Sequence, residues 1–146
     1  MKLKTLAITA LVAALTGCAA SGPTHKEMAG KMASVSADQG RVYFLRSSSM
    51  LGAAVQPNIY LDGAVVGESK PGSFFYVDTK PGSHEARTST ETTNKVTFVL
   101  DKGETKYVRT KVQMGLMVGH VVPELISADE ANKELGELRF SGAPAK

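Results

Sequence analysis

The chain has 146 residues, with 17 Lys and Arg against 14 Asp and Glu, a formal net charge of +3, one Cys and no Trp. That length fits one domain, and a lone cysteine excludes an internal disulfide, an all-cysteine zinc site and a CxxC redox pair. With 42% hydrophobic and 21% charged residues, the composition is neither that of a disordered tail nor that of a strongly basic nucleic-acid binder.

Lys2 and Lys4 make a positive beginning, and Leu6 to Leu15 is an uncharged apolar stretch, the order of a secretory signal peptide. As a helix that stretch would span about 15 Å, half of a hydrocarbon core of roughly 30 Å, too short for a transmembrane anchor. Leu15-Thr16-Gly17-Cys18 follows directly and resembles the lipobox of bacterial lipoproteins. The resemblance implies cleavage between Gly17 and Cys18, removal of residues 1–17, and a Cys18 carrying a diacylglyceryl thioether and an N-acyl chain. The lipid bilayer is then a partner through acylated Cys18, since each buried methylene contributes about 0.8 kcal/mol and two chains anchor stably. Ala19, where an Asp would retain a lipoprotein at the inner membrane, implies an outer-membrane location facing the periplasm. Removing Lys2 and Lys4 leaves the mature chain almost neutral, so the mild basicity belongs to the signal peptide.

Residues 18–39 are rich in Ala, Ser, Gly and Lys and are expected to be the lipidated N-terminus and a flexible linker. Met28, Met32 and Val35 have the spacing of a short amphipathic turn, weakened by Gly30. Arg41 to Arg46 is apolar and aromatic between its two arginines and predicts a well-buried strand. Asn58 to Leu61 runs into Asp62-Gly63 and returns through Ala64 to Gly67, a hairpin with a type I′ turn, and Pro57 precedes it where its missing N–H costs least. Phe74 to Val77 leads to Lys80-Pro81-Gly82-Ser83, a type II turn signature.

From His84 to Thr90 the pattern alternates, with Ala86 and Thr88 toward the core and Glu85 and Arg87 toward solvent. Val96, Phe98 and Leu100 alternate with Lys95, Thr97 and Val99, and Thr105 to Val112 is β-branched after a turn at Asp101 to Glu104. The apolar run from Met117 to Ile126 contains Pro123, which predicts an edge or bulged strand. Ser127 and Glu130 form a capping box for one short helix ending near Gly136, and Leu138 with Phe140 predicts a last strand. The expected fold is all-β: an antiparallel β-sandwich of about seven to eight strands over residues 40–140, with one short C-terminal helix and a flexible tail at 141–146. Such a domain buries roughly two thirds of its unfolded surface.

Gly40 to Arg46, Pro57 to Gly63 with Val66-Gly67, Gly72 to Phe75, Pro81 to His84 and Gly103 to Arg109 together resemble a bacterial lipoprotein family catalogued as domain of unknown function 2846. Ile59 to His84 is also similar to PEGA domains, small surface-associated β-modules. The resemblance implies a β-sandwich and brings no catalytic motif, so Cys18 alone carries over as a functional position.

No nucleophile and base, paired carboxylates or metal-ligand spacing stands out, and no metal or cofactor is expected. His84 and Glu85 adjoin on a strand and point to opposite faces, so they cannot share a site. His84 is expected to make a local hydrogen bond at a strand end, and His120 to be half-buried. Thr88 to Thr93 is expected to be the solvated turn of a hairpin, with glycan contact as the alternative. Met114, Leu116 and Met117, set among glycines, form either an adaptable partner contact or an ordinary strand closing the sandwich. The expected function is non-enzymatic: a membrane-anchored binding or assembly module of the cell envelope with a protein or peptidoglycan partner and no nucleic acid. The alternatives are a passive structural protein contacting peptidoglycan or glycans, and an enzyme.

Overall fold

In a computed structural model of the protein, residues 20–90, 93–115 and 119–142 are described. Within them the elements are α1 (His25–Met28), β1 (Gly40–Arg46), β2 (Asn58–Leu61), β3 (Ala64–Glu68), β4 (Ser73–Thr79), β5 (Gly82–Ser89), β6 (Thr93–Leu100), β7 (Thr105–Met114), β8 (Gly119–Ile126), α2 (Ala128–Leu135) and β9 (Arg139–Phe140). They build a β-sandwich of two sheets, ordered β8-β7-β1-β4-β9 and β3-β2-β5-β6.

β1 is the centre of the first sheet, and all seven of its residues are buried. Both of its faces are covered, which is why its apolar run has no polar alternation. Val42 and Phe44 enter the core between the sheets with Ile59, Phe75, Ala86 and Leu100. Tyr43 and Leu45 face the other way, into a second cluster with Phe74, Ala131 and Leu135. A third layer, made of α2 and the N-terminal segment, therefore lies on the outer face of this sheet.

Local signals are realised where they have a local cause. Asp62 and Gly63 have φ of 52° and 87°, both positive as a type I′ turn needs. Ala86 and Thr88 are fully buried on β5. Ser127 accepts the Glu130 N–H while Glu130 reaches back, closing the capping box of α2. β8 is an edge strand, with Pro123 opposite Thr110.

Three expectations need correcting. The pairing is not wholly antiparallel, because β1 runs parallel to β7 and β4 parallel to β9. The chain leaves β6 in one sheet and crosses to the other beside the start of β1, where the Arg41 N–H donates to Glu104 O and the Gly103 N–H to Gln39 O, both at 2.9 Å. β7 thus begins level with β1 and runs alongside it. The expected linker is docked from Gly22 onward: the Phe140 N–H donates to Pro23 O at 2.8 Å, the His25 N–H to Leu138 O at 3.0 Å, and Arg41 Nη2 to Ala33 O at 2.9 Å. Met28 and Met32 pack on the aromatic cluster below. Finally, Ser141, expected in the tail, is held to the sheet, since its N–H donates to Phe74 O at 3.0 Å.

Candidate interaction surface at one end of the sandwich

Because β1 and β7 are parallel, their C-terminal ends lie at the same end of the sandwich. Beyond Arg46 the chain enters the loop that leads to β2. Arg46 is itself buried and donates to Val55 O at 2.7 Å and to Gly52 O and Ser69 O at 2.8 Å each. Burial lowers its pKa, and the planar fork compensates by meeting several carbonyls at once. These bonds draw the loop onto the last part of β7. Gly52 lies so close that a Cβ there would come 2.7 Å from Val112 Cγ1.

The loop leaves two large apolar side chains in solvent. Met50 is 93% exposed, Leu51 52%, and Met114 at the end of β7 73%. Beside them is a cleft of about 200 Å³ lined by Ser49, Leu51, Lys111 and Val112, with Arg109 at its side. The cations here are already engaged. Arg109 binds Glu124 and Glu134, each at 2.6 Å, and Lys111 binds the other oxygen of Glu124. Burial pushes the Glu124 carboxyl up, but the bonds from Lys111 and Arg109 outweigh it and leave the pKa below the usual carboxylate range. Ser47 donates to Glu134, which joins the loop to α2. The cleft therefore offers apolar contact and hydroxyls rather than open positive charge.

Of the positions singled out from the sequence, Met114 is at this surface. Leu116, Met117, Gly17 and Cys18 lie outside the described residues. Met50 and Leu51 were missed. The signal that marks them is the run from Ser47 to Leu61, which contains no Asp, Glu, Lys or Arg.

The histidines occupy structural positions. His84 is buried, with Nδ1 2.6 Å from Asp62 Oδ2 and Nε2 2.8 Å from Lys80 O, which ties the β2–β3 turn to the β4–β5 connection. Glu85 turns the other way, to Lys95 at 3.0 Å. His120 is half-buried on β8 opposite Gln113. His25, placed in the linker by its sequence position, sits edge-on to Phe74 and Tyr43 at centroid distances of 5.1 and 5.9 Å, and burial lowers its pKa. Thr88 belongs to the core rather than to a solvated turn, donating its hydroxyl to Val121 O. Among the described residues no group of three His, Cys, Asp or Glu could hold a metal ion, and no helix is long and apolar enough to cross a membrane.

Residues 36–122 match the family model described as protein of unknown function, DUF2846. An uncharacterized protein of Haemophilus influenzae is 28% identical over 99 residues, which is 67% of this chain and 59% of that relative. The match thus spans less than two thirds of the relative's length. No solved structure matches.

Proposed function

The chain belongs to the DUF2846 family, and from that premise we propose that it is a membrane-anchored, periplasm-facing lipoprotein that works by contact, as a non-enzymatic binding or assembly module of the cell envelope. The observation that carries the contact role is the cluster of Met50, Leu51 and Met114 at one end of the sandwich, exposed while Phe44, Leu45, Phe74 and Phe75 are buried. Adaptable methionines on such a patch suit a surface that meets a partner. The anchor is supported by Leu15-Thr16-Gly17-Cys18 at the end of a signal-peptide pattern. Held in a membrane, the module searches two dimensions and meets envelope components at a raised effective concentration.

Two measurements on intact bacteria test this reading. The wild-type chain should sediment with membranes and the Cys18→Ser chain should appear in the soluble periplasmic fraction. A photo-crosslinking residue at Met114 should trap an envelope component that the same residue at Lys102, beyond the opposite end of β7, does not trap. Membrane retention of Cys18→Ser, or identical adducts at the two positions, would overturn it.

A further inference from the structure

We propose that the N-terminal segment is an acid-released strap: His25 holds it on the outer face of the first sheet while the ring is neutral, and gives it up when the ring takes a proton.

The His25 ring is seated among aromatics, edge-on to Phe74 and Tyr43 at centroid distances of 5.1 and 5.9 Å. Met28 and Met32 pack on the same cluster, and the Tyr43 hydroxyl donates to Met32 Sδ at 3.4 Å. The polar bonds that hold the backbone of the segment run from the Phe140 N–H to Pro23 O, from the His25 N–H to Leu138 O, and from Arg139 and Arg41 to Gly22 O and Ala33 O. None of these bonds changes between neutral and mildly acidic pH, so the imidazole is the titrating part of the contact.

The surrounding elements offer an imidazolium no anion. β1 and β7 bring Tyr43 and Tyr107, whose phenols burial pushes up, so both stay neutral. β4 brings Phe74 and Tyr76, and α2 with the chain before β9 brings Ala131, Leu135 and Leu138. Glu27, on the same helix as His25, is turned back to the Thr24 N–H and hydroxyl, and Glu134 of α2 is turned to Arg109. The remaining charges are cations: Lys26 next in the chain, Arg139 beside Thr24, and Arg41, which is bound to Asp78. Among the described residues the ion-paired histidine is His84. Burial thus acts on the His25 imidazole uncompensated and lowers its pKa. Docking is fully supported above the ordinary histidine value of about 6.5. Below it the ratio of docked to undocked segment falls by up to about tenfold per pH unit, until the pH passes the lower docked value.

Release lengthens the tether, a consequence that rests on the anchored-lipoprotein reading above, whereas the strap itself does not. Cys18 precedes Gly22 by four residues, a span of up to about 14 Å, and precedes Gly40 by 22 residues, a span of up to about 75 Å. The docked segment therefore keeps the module close to its lipid. In an acidic periplasm the same module reaches envelope components much farther from its membrane.

Amide hydrogen exchange of the full chain, read residue by residue at about pH 7.5 and about pH 5.5 and corrected for the intrinsic effect of pH, tests the strap. Protection of the Met28 and Phe140 amides should fall at least about twofold at the lower pH, relative to that of Phe44 in β1. It should stay constant in His25→Phe, which keeps an aromatic ring and removes the titrating nitrogens. Constant protection in the wild type, or an equal fall in His25→Phe, overturns the strap and leaves the anchor standing. If His25→Phe lacks this protection at both pH values, the titration of the wild-type His25 ring, followed by NMR, decides. A midpoint below about 6.5 supports the strap, and one at or above it overturns it. Exchange reads docking with or without lipid, so a Cys18 found unacylated by mass spectrometry of the N-terminal peptide overturns the change in reach alone.

Discussion

Arg41 grips Asp78 across the β1–β4 ladder through two parallel hydrogen bonds, Nε to Oδ1 at 2.6 Å and Nη2 to Oδ2 at 2.8 Å. The same guanidinium lies 4.2 Å from the centre of the Tyr76 ring and donates to Ala33 O, so one side chain ties β1, β4 and the N-terminal segment together. The Asp78 hydrogen bonds hold the guanidinium protonated well above its ordinary value, against the opposing effect of burial. Arg41 is 7% exposed and Asp78 26%, so the pair lies between the surface and the interior.

Asp78→Asn keeps the shape and removes the charge that matches Arg41. Exposed pairs contribute about 0–1 kcal/mol and breaking fully buried ones costs about 3–5, which places this substitution near 2 kcal/mol. Urea denaturation should show that loss as a lower midpoint with an unchanged slope. A loss below about 0.5 kcal/mol would mean that Arg41 finds its hydration elsewhere.

Arg46 acts on a loop rather than on a partner strand. Arg46→Lys keeps a cation but can reach fewer of the Val55, Gly52 and Ser69 carbonyls at once. Hydrogen exchange at residues 50–57 should accelerate in Arg46→Lys while β5 and β6 stay protected, and stability should fall by about 2 kcal/mol. Unchanged exchange in the loop would remove Arg46 as its organiser.

Asp62 predicts an acid sensitivity. Burial pushes its carboxyl up, but the Glu85 N–H at 2.9 Å and the His84 ring outweigh this and leave its pKa below the ordinary value. A depressed carboxylate stabilises the fold at pH values above its unfolded pKa of about 3.9, and that contribution fades as the pH falls through the lower folded value. Asp62→Asn preserves a turn that Asn-Gly forms equally well and removes the titrating group. Its stability should decline less steeply than wild type below about pH 4, with a difference at pH 7 under about 1 kcal/mol because the carboxyl is half-exposed. Parallel curves for the two proteins would exclude the Asp62 contribution.

Gly22 has no room for a side chain, since a Cβ there would come 2.0 Å from Phe140 O. Gly22→Ala should therefore lift the segment before α1 and leave the two sheets intact. Limited proteolysis should then cleave within residues 20–36 faster than in wild type, by about tenfold if docking contributes near 1.4 kcal/mol, with no change in cleavage of the sandwich. Equal cleavage in the two chains would show that the segment is held elsewhere.

What the sequence made legible was whatever has a short-range cause: the Asp62-Gly63 turn, the Ser127 capping box, Pro123 at an edge, and the twice-covered strand around Phe44. What it concealed depends on distant chain. Arg41 and Arg46 looked like the polar ends of a strand, because nothing near them announces Asp78 or the Val55 and Ser69 carbonyls that receive them. Met28 and Met32 showed a helical spacing, but the face they cover is assembled from Tyr43, Phe74 and Leu138, and no local pattern reports that such a face is vacant. Met50 and Leu51 sit in a stretch of Ser, Gly and Ala that has the composition of any loop. Their exposure together with Met114 follows only from the parallel course of β7.

That parallel course also sets an order of events during folding. The neighbour of Leu45 in β7 is Arg109, more than sixty residues downstream, so a strand buried at every residue is synthesised early and completed late. Until β7 arrives, β1 has only β4 for a ladder partner, and one of its edges is an open template for pairing with another chain. Closing so long a loop is slow compared with forming the β2–β3 hairpin. The nascent chain therefore carries its greatest aggregation hazard in Val42 to Leu45, and a holding chaperone that recognises short apolar segments would find its best target there.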